Sequence, residues 1–486
     1  MIALNVLPVV DVSVDGEDPA APLSASIMTL DVTQGVYEPA ACEIVARDAS
    51  GTLSARLSLG AKLRVRFGTE QRVVFSGSIA AIEYRLGPSN EREVRLLAYD
   101  ALDALRRRMA VHAYVAVTFA DLATELARAC GLSLGSIPVT PAYRRIVQHR
   151  RSDLDVLADI AERSGLAFSV NDGALSVYTF AGTGAPVELT YGEGLREVSG
   201  IASATESING VNVRGWDAQR VEARSGNAAG GNGADALAIT NVVLDTDAHA
   251  DALARSQVAR RTIAAMHVDA TSDGDPAMRP GARVRFAGVP DVIAGPHTIT
   301  RAVHRFDPHS GYTTTFGTAL PKPHAPEQSV NATLGIVVDV RDPDALGRRQ
   351  VSYPALADAE SDWLQILAAG AGGGKGIVAV PAVRDSVLVL IIDGDPAHGI
   401  VLGALYGAGG LPQRAGKPLS GYAFFSPGGH IIELIDGGAL ALHAANGSSL
   451  ELGPDGTRLH SETDLTIDAP GKNVTIRAQH VDIERA

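Results

Sequence analysis

The sequence predicts a mainly β, multidomain protein whose N-terminal part carries two similar β barrels with an α/β segment between them. Three observations point there. Most of the chain alternates apolar and polar residues with period two between clusters of Gly, Pro, Asn and Asp, as antiparallel sheets do. The segment "GAKLRVRFG...VVFSGSIAAIEYR" over 60–85 returns as "GARVRFAG...VIAGPHTITRAVHR" over 281–305. Gly60-Ala61-Lys62 is matched by Gly281-Ala282-Arg283, and Gly77 and Gly295 are each expected to open a strand that ends on a basic residue. The C-terminal stretch, 420–486, carries apolar pairs two residues apart between Gly, Asn-Gly and Pro-Asp-Gly turns, the pattern of short strands with one apolar face.

Taken in order, "VDVSV" at 10–14 is a strand without an export signal before it, and the first barrel spans 1–108, closing on the helical pattern "YDALDALRRR" at 99–108. The α/β segment, 109–199, holds helices over 118–131 and 152–165, with Thr118 and Ser152 as N-caps, Gly131 and Gly165 as stops, and Leu154, Leu157, Ile160 and Ala161 as a core-facing stripe. The second barrel, 200–320, contains the run "RSGNAAGGNGADA" at 224–236, expected as a flexible surface loop, and a helix over 247–266. Residues 321–333 form a Pro-rich linker, 334–408 a further β domain, and a second Gly- and Pro-rich stretch at 407–421 leads into the stem, 420–486.

Composition excludes several classes. A net charge of −13 with interspersed signs argues against nucleic acid as a partner, which needs a clustered basic surface. Two cysteines, Cys42 and Cys130, make neither a disulfide framework nor a zinc site and read as small hydrophobes. No run of about 18 apolar residues is present, so a soluble protein is expected.

The Gly-rich stretch "AAGAGGGKGIVAVP" at 368–381 looks at first like a phosphate cradle. Ala369 stands where the first P-loop glycine belongs, Gly376 where the magnesium-binding hydroxyl belongs, and "IVAV" reads on as a strand, not a helix. The stretch is therefore a loop between strands. No HExxH, GxSxG or Cys-x-x-Cys occurs. Asp393 and Asp395 in "IDGDPAHG" read as a hairpin turn before a calcium site. His460, Glu462 and Asp464 share a strand face opposite Leu459, Leu465 and Ile467, which places them in solvent, and His480 points outward beside inward Val481 and Ile483. No catalytic, cofactor or metal site is expected, and the protein reads as a non-enzyme.

The stem's apolar pairs are Leu440 and Leu442, Leu450 and Leu452, Leu465 and Ile467, Val474 and Ile476, and Val481 and Ile483. A lone narrow ladder has exposed edges and one uncovered apolar face, so it needs copies of itself, most simply three chains around a common axis.

Residues 334–412, with "PDALGRRQV", Trp363 in "DWLQI", "VPAVRDSVLVLIIDGDP" and "GIVLGALY", closely resemble the OB-fold domain of contractile-injection spikes: the VgrG proteins of type VI secretion, phage baseplate spikes and the spikes of extracellular injection particles. Residues 1–320 look like the phage tail-hub portion of that family, with "DLDVLADIAERSGLAFSV" at 153–170 as the best further mark, and the stem looks like its intertwined trimeric β-helix. The resemblance implies a structural homotrimer that adapts a hexameric inner tube to the needle tip and punctures an envelope when a sheath contracts. It further implies baseplate proteins and effector cargo as partners, and a target membrane contacted only on firing. Before firing the particle would be cytoplasmic, with release or injection afterwards. A blunt tip formed by Ile483, Glu484, Arg485 and Ala486 would be capped by a separate PAAR-type protein. The rivals are a cell-surface glycan hydrolase or lyase on a β scaffold, which needs two carboxylates facing one groove, and an OB-type oligonucleotide or sugar binder, which needs a basic, aromatic strand face.

Overall fold

Both copies of the internal echo lie in one thirteen-stranded sheet. The computed structural model describes residues 10–16, 21–68, 70–88, 91–217, 222–231, 233–322, 331–392, 394–407, 410–411, 421–435 and 438–484. It divides into two compact units, residues 1–405 and 406–486.

In the sheet the first copy runs Val10–Val14, Lys62–Phe67, Arg72–Leu86, Arg92–Tyr99, Ala41–Arg47, Ile27–Gly35. The second continues with Arg301–Asp307, Gly311–Gly317, Met266–Asp273, Gly194–Ala202, Thr183–Tyr191, Ala282–Ala287 and Pro296–Thr298. Pairing in the second copy thus comes back to its own start, because Pro296–Thr298 runs on into Arg301–Asp307. The copies join through Ile27–Gly35 and Arg301–Asp307, where Val32 faces His304 in register and Asp31 meets Arg305 at 2.7 Å on the outer side. Period-two burial holds along the strands: Leu30 and Val32 are fully buried, as are Leu63, Val65 and Phe67 to within one per cent.

The echo is a shared hydrogen-bond geometry. Gly60 N–H donates to Ile79 O at 2.8 Å and Ile79 N–H to Ala61 O at 2.9 Å; Gly281 N–H donates to Ile299 O at 2.8 Å and Ile299 N–H to Ala282 O at 2.9 Å. Both glycines sit in the left-handed region, at φ 85° and 89°. At Gly281 a Cβ would also lie 2.7 Å from the Tyr178 ring. Because Ile79 and Ile299 are the counterparts, Gly77 corresponds to His297 and not to Gly295. Gly77 does not open a strand either; it lies inside Arg72–Leu86, where a Cβ would come within 2.2 Å of the Tyr99 carbonyl oxygen.

Between the copies, helices Leu102–Arg107, Phe119–Ala129 and Asp153–Arg163 pack with strand Leu166–Asn171 around Phe119, Leu126, Leu157 and Phe168. Thr118 and Ser152 are N-caps in full capping boxes with Asp121 and Asp155, and Gly131 and Gly165 follow the helix ends at φ 74° and 70°. A short helix, Ala21–Ser26, carries no periodic signal and escapes sequence reading.

The expected boundary at 199 falls inside strand Gly194–Ala202, which with Thr183–Tyr191 already belongs to the second copy's sheet. Its span is also interrupted. Strands Glu222–Ala229, Gly210–Asp217 and Ala236–Val243 form a separate three-stranded sheet covered by helix Asp247–Ala265, with a core of Val211, Val213, Leu244, Ala250 and Ala254. The expected flexible loop at 224–236 is therefore corrected: its first part is a strand in full register with Gly210–Asp217. Gly226 is there for packing, since a Cβ would lie 2.3 Å from the Ala250 backbone of the covering helix.

Residues 331–405 form a six-stranded sheet in the order Ala359–Glu360, Gln350–Tyr353, Asn331–Asp339, Ser386–Ile392, Asp395–Leu405, Gln365–Ile366. Its core is Val337, Val351, Tyr353, Leu364, Val387, Val389 and Val401. The "PDALGRRQV" turn is organised by Asp342, whose carboxylate accepts from the backbone N–H of Asp344, Leu346 and Arg348 and from Arg348 Nε at 3.0 Å. These bonds, the Arg348 guanidinium first, hold the Asp342 carboxyl well below the usual carboxylate range. Gly347 at φ 77° lets Arg348 fold back until it is 1% exposed. The Gly-rich stretch at 368–381 is a loop between Gln365–Ile366 and Ser386–Ile392, but "IVAV" is not a strand. Ile377 N–H reaches Ala369 O at 3.0 Å, and Ile377, Val378 and Val380 are exposed and belong to no strand among the described residues.

An uncovered apolar sheet face as the candidate functional site

Residues 421–460 form an antiparallel meander of Gly421–Phe425, Ile431–Ile435, Ala439–His443, Ser449–Gly453 and Gly456–His460. Register fixes what each face presents. Phe424 faces Ile432, Ile432 faces Leu442, Leu442 faces Leu450, and Leu450 faces Leu459, giving one apolar row across all five strands. A second row runs Tyr422, Leu434, Leu440, Leu452 and ends on Thr457. The opposite face is mixed, with Ala423, Phe425, Ile431, Ala439 and Ala441 beside Glu433, His443, Glu451 and Arg458; Glu433 and Ala441 are buried and His443 Nε2 lies 3.8 Å from Glu433. The first face is left uncovered: Leu440 and Leu442 stay 39% exposed and Phe424 55%. Leu440, Leu442, Leu450 and Leu452 are four of the residues expected from the pairs-two-apart pattern. Tyr422, Phe424, Ile432 and Leu434 were missed, although Tyr422/Phe424 and Ile432/Leu434 carry the same spacing.

The other expected core residues lie beyond the sheet. Leu465, Ile467, Val474, Ile476, Val481 and Ile483 are all exposed and lie outside any strand, and Ile483 is 94% exposed. Among the described residues of the single chain the last strand ends at His460, and residues 461–484 join no ladder. For the same reason the period of two does not carry from His460 to Asp464; His460 Nε2 simply meets Glu462 at 3.0 Å. His480 pairs with Asp482 at 2.7 Å, and both are well exposed. Of the expected tip, Ile483 and Glu484 are described, and Arg485 and Ala486 lie outside the described residues. Asp393 lies outside them too, while Asp395 engages His398.

That contact belongs to a buried ionic cluster joining residues 331–405 to the α/β segment. His398, on strand Asp395–Leu405, has Nδ1 3.1 Å from Asp395 and Nε2 3.5 Å from Asp245. Asp245 accepts from the Arg144 backbone N–H at 3.0 Å and from its guanidinium, which also reaches Asp217 at 2.9 Å. Burial disfavours a charged imidazole, but the facing Asp395 and Asp245 carboxylates outweigh it and push His398 up to about 10. For Asp245 burial acts upward, and His398 and Arg144 outweigh it, holding the carboxyl far below its ordinary range. Every charge has an opposite neighbour, as an ionic structural junction requires. Among the described residues no group of three or more His, Cys, Asp or Glu is placed to hold a metal ion, and no helix is long and apolar enough to cross a membrane.

Comparison with known proteins places these features. Residues 8–307 match the family model of the Alg8 N-terminal domain. The chain belongs to this family. In this member, residues 333–406 match a second model, the type VI secretion system/phage-baseplate injector OB domain. Among solved structures it is similar to the E. coli c3393 protein, a type VI secretion component described as structurally similar to T4 tail proteins gp27 and gp5. That likeness has TM-score 0.57 and 12% identity, over 81% of this chain and 99% of that one. It is similar to the Francisella PdpA–VgrG complex (TM-score 0.56, 10% identity, 94% of this chain and 80% of that one). The 43 kDa tail protein of prophage MuSo2 from Shewanella oneidensis gives TM-score 0.51 and 13% identity over 65% of this chain and 98% of that one. The Alg8-family chain thus has a VgrG-like baseplate hub fold, mainly β and multidomain, with an injector-type OB domain over 333–406.

Proposed function

We propose that three copies of this chain assemble into the central hub and spike of a contractile injection machine. Residues 1–320 form the hub, its two copies of the echo acting as barrel modules; residues 334–408 form the OB collar and 420–486 the stem. Three chains with two modules each would present six quasi-equivalent units to a hexameric inner tube, with baseplate proteins around them. In the stem the apolar rows of each chain meet those of two others. The same association gives the backbone of 461–484 its partner strands, so that Leu465, Ile467, Val474, Ile476, Val481 and Ile483 continue the axis. A PAAR-type tip protein binds at Ile483, Glu484, Arg485 and Ala486, the particle assembles in the cytoplasm, and sheath contraction drives the rod through a target envelope. The hub acts mechanically and not as an enzyme.

The observation that carries this is the uncovered apolar face of the 421–460 sheet. Fully burying a leucine-sized side chain contributes about 1.5–3 kcal/mol, so completing the burial of nine half-exposed ones offers roughly 10 kcal/mol per chain before association costs. The test is the absolute mass of the purified chain by light scattering over a range of concentrations. Three chain masses are expected, and a monomer stable at all concentrations would refute the proposal.

A further inference from the structure

A cleft of about 670 Å³ opens where the first copy, the α/β segment and the second copy meet. Its size is that of a ligand or peptide site. Three arginines converge on it from separate places in the chain: Arg72 at the start of strand Arg72–Leu86, Arg279 in the turn before Ala282–Ala287, and Arg283 on that strand. One carboxylate, Asp172, lines it with them. Arg72 is held by Glu70 at 2.8 Å and Arg279 reaches Asp172 at 3.3 Å, but Arg283 has no ion-pair partner among the described residues. In a chain of net charge −13 this lining is locally positive.

The cleft wall also exposes main chain. Strand Thr183–Tyr191 pairs with Ala282–Ala287, yet between the register pairs Thr183↔Ala282 and Val187↔Val284 the three residues 184–186 stand opposite Arg283 alone. This bulge lies outside the ladder, with Gly184 at φ 76° and exposed, and Gly184 and Ala185 line the cleft beside the arginines. Guanidinium forks favour carboxylates, and a strand that leaves its ladder offers donors and acceptors to another main chain. The geometry points to a docking cleft for an extended acidic peptide segment of a partner protein, its carboxylates on Arg279 and Arg283 and its backbone beside Gly184 and Ala185.

The test is fluorescence anisotropy of the full chain with fluorescein-labelled hexaglutamate, against labelled hexaglutamine. Saturable binding is expected, at least tenfold tighter for hexaglutamate, weakened by added salt and weakened at least tenfold by Arg283→Ala and by Arg279→Ala. Arg285→Ala is the control, because Arg285 lies on the same strand outside the cleft and pairs with Glu188 at 3.5 Å. Absence of binding, equal binding of hexaglutamine, or equal loss with the control would each overturn the proposal. So would binding that is unaffected by the two cleft variants.

Discussion

Neutralising His398 by raising the pH should loosen the junction between the OB domain and the α/β segment. His398 lies between Asp395 and Asp245, with Arg144 and Asp217 behind them and Arg163 near Asp395, while burial lowers the pKa of His249 nearby. Its folded value is about 10 against an ordinary value near 6.5, so the folded state binds this proton more tightly than the unfolded chain does. The stabilisation is therefore complete below about pH 6.5, declines as pH rises, and is gone above about pH 10. The interval corresponds to at most on the order of 5 kcal/mol, a slope of roughly 1.4 kcal/mol per pH unit. A multidomain chain does not unfold in one step, so the readout is local: hydrogen-exchange protection factors of strand Asp395–Leu405, measured between pH 6.5 and 9.5. Protection should fall by up to about tenfold per pH unit in the native chain. In His398→Gln it should begin low and stay flat. Equal slopes in the two proteins would refute the assignment of the shift to this histidine.

Other expectations concern the stem and the scaffold. Ile476→Asp should abolish trimer formation, because an unpaired carboxylate would sit at the stem axis; an unchanged trimer mass contradicts the inward placement. Truncation after Leu411 should leave a soluble hub and OB domain that no longer captures a PAAR-type protein, and retained capture would place the tip site elsewhere. Ser152→Ala removes one half of a capping box and should cost about 1 kcal/mol, read as reduced exchange protection in helix Asp153–Arg163; no loss would mean that the buried helix needs no cap.

Local rules were legible wherever the signal was local. Thr118 and Ser152 with Asp121 and Asp155 three residues on, and Gly131 and Gly165 just past the stripes, fixed two helices from residue type alone. The repeated Gly-Ala pair marked a real repeat, because a left-handed glycine must precede each hairpin strand. What escaped depended on partners distant in sequence. Gly226 reads as loop until Ala250 is placed over it, and Gly77 reads as a strand start until the Tyr99 carbonyl is placed against it. The cluster around His398 joins Arg144, Asp217, Asp245 and Asp395, residues from four parts of the chain that no spacing rule links.

The stem separates what a chain encodes from what it can form alone. Between Gly421 and His460 each strand has a neighbour one turn away, so the meander closes its own ladder and lays its leucines in register with no second copy needed. From 461 onward the alternation persists in Leu465/Ile467, Val474/Ile476 and Val481/Ile483, yet no strand forms. Side-chain period is set by sequence, but a strand exists only when its N–H and C=O groups are answered. In the proposed trimer the answering strands for this alternation come from other chains, which also cover the apolar rows at 421–460. Two different deficits, one of hydrogen bonds and one of burial, lie in consecutive stretches of the same unit, and a single association of copies would meet both.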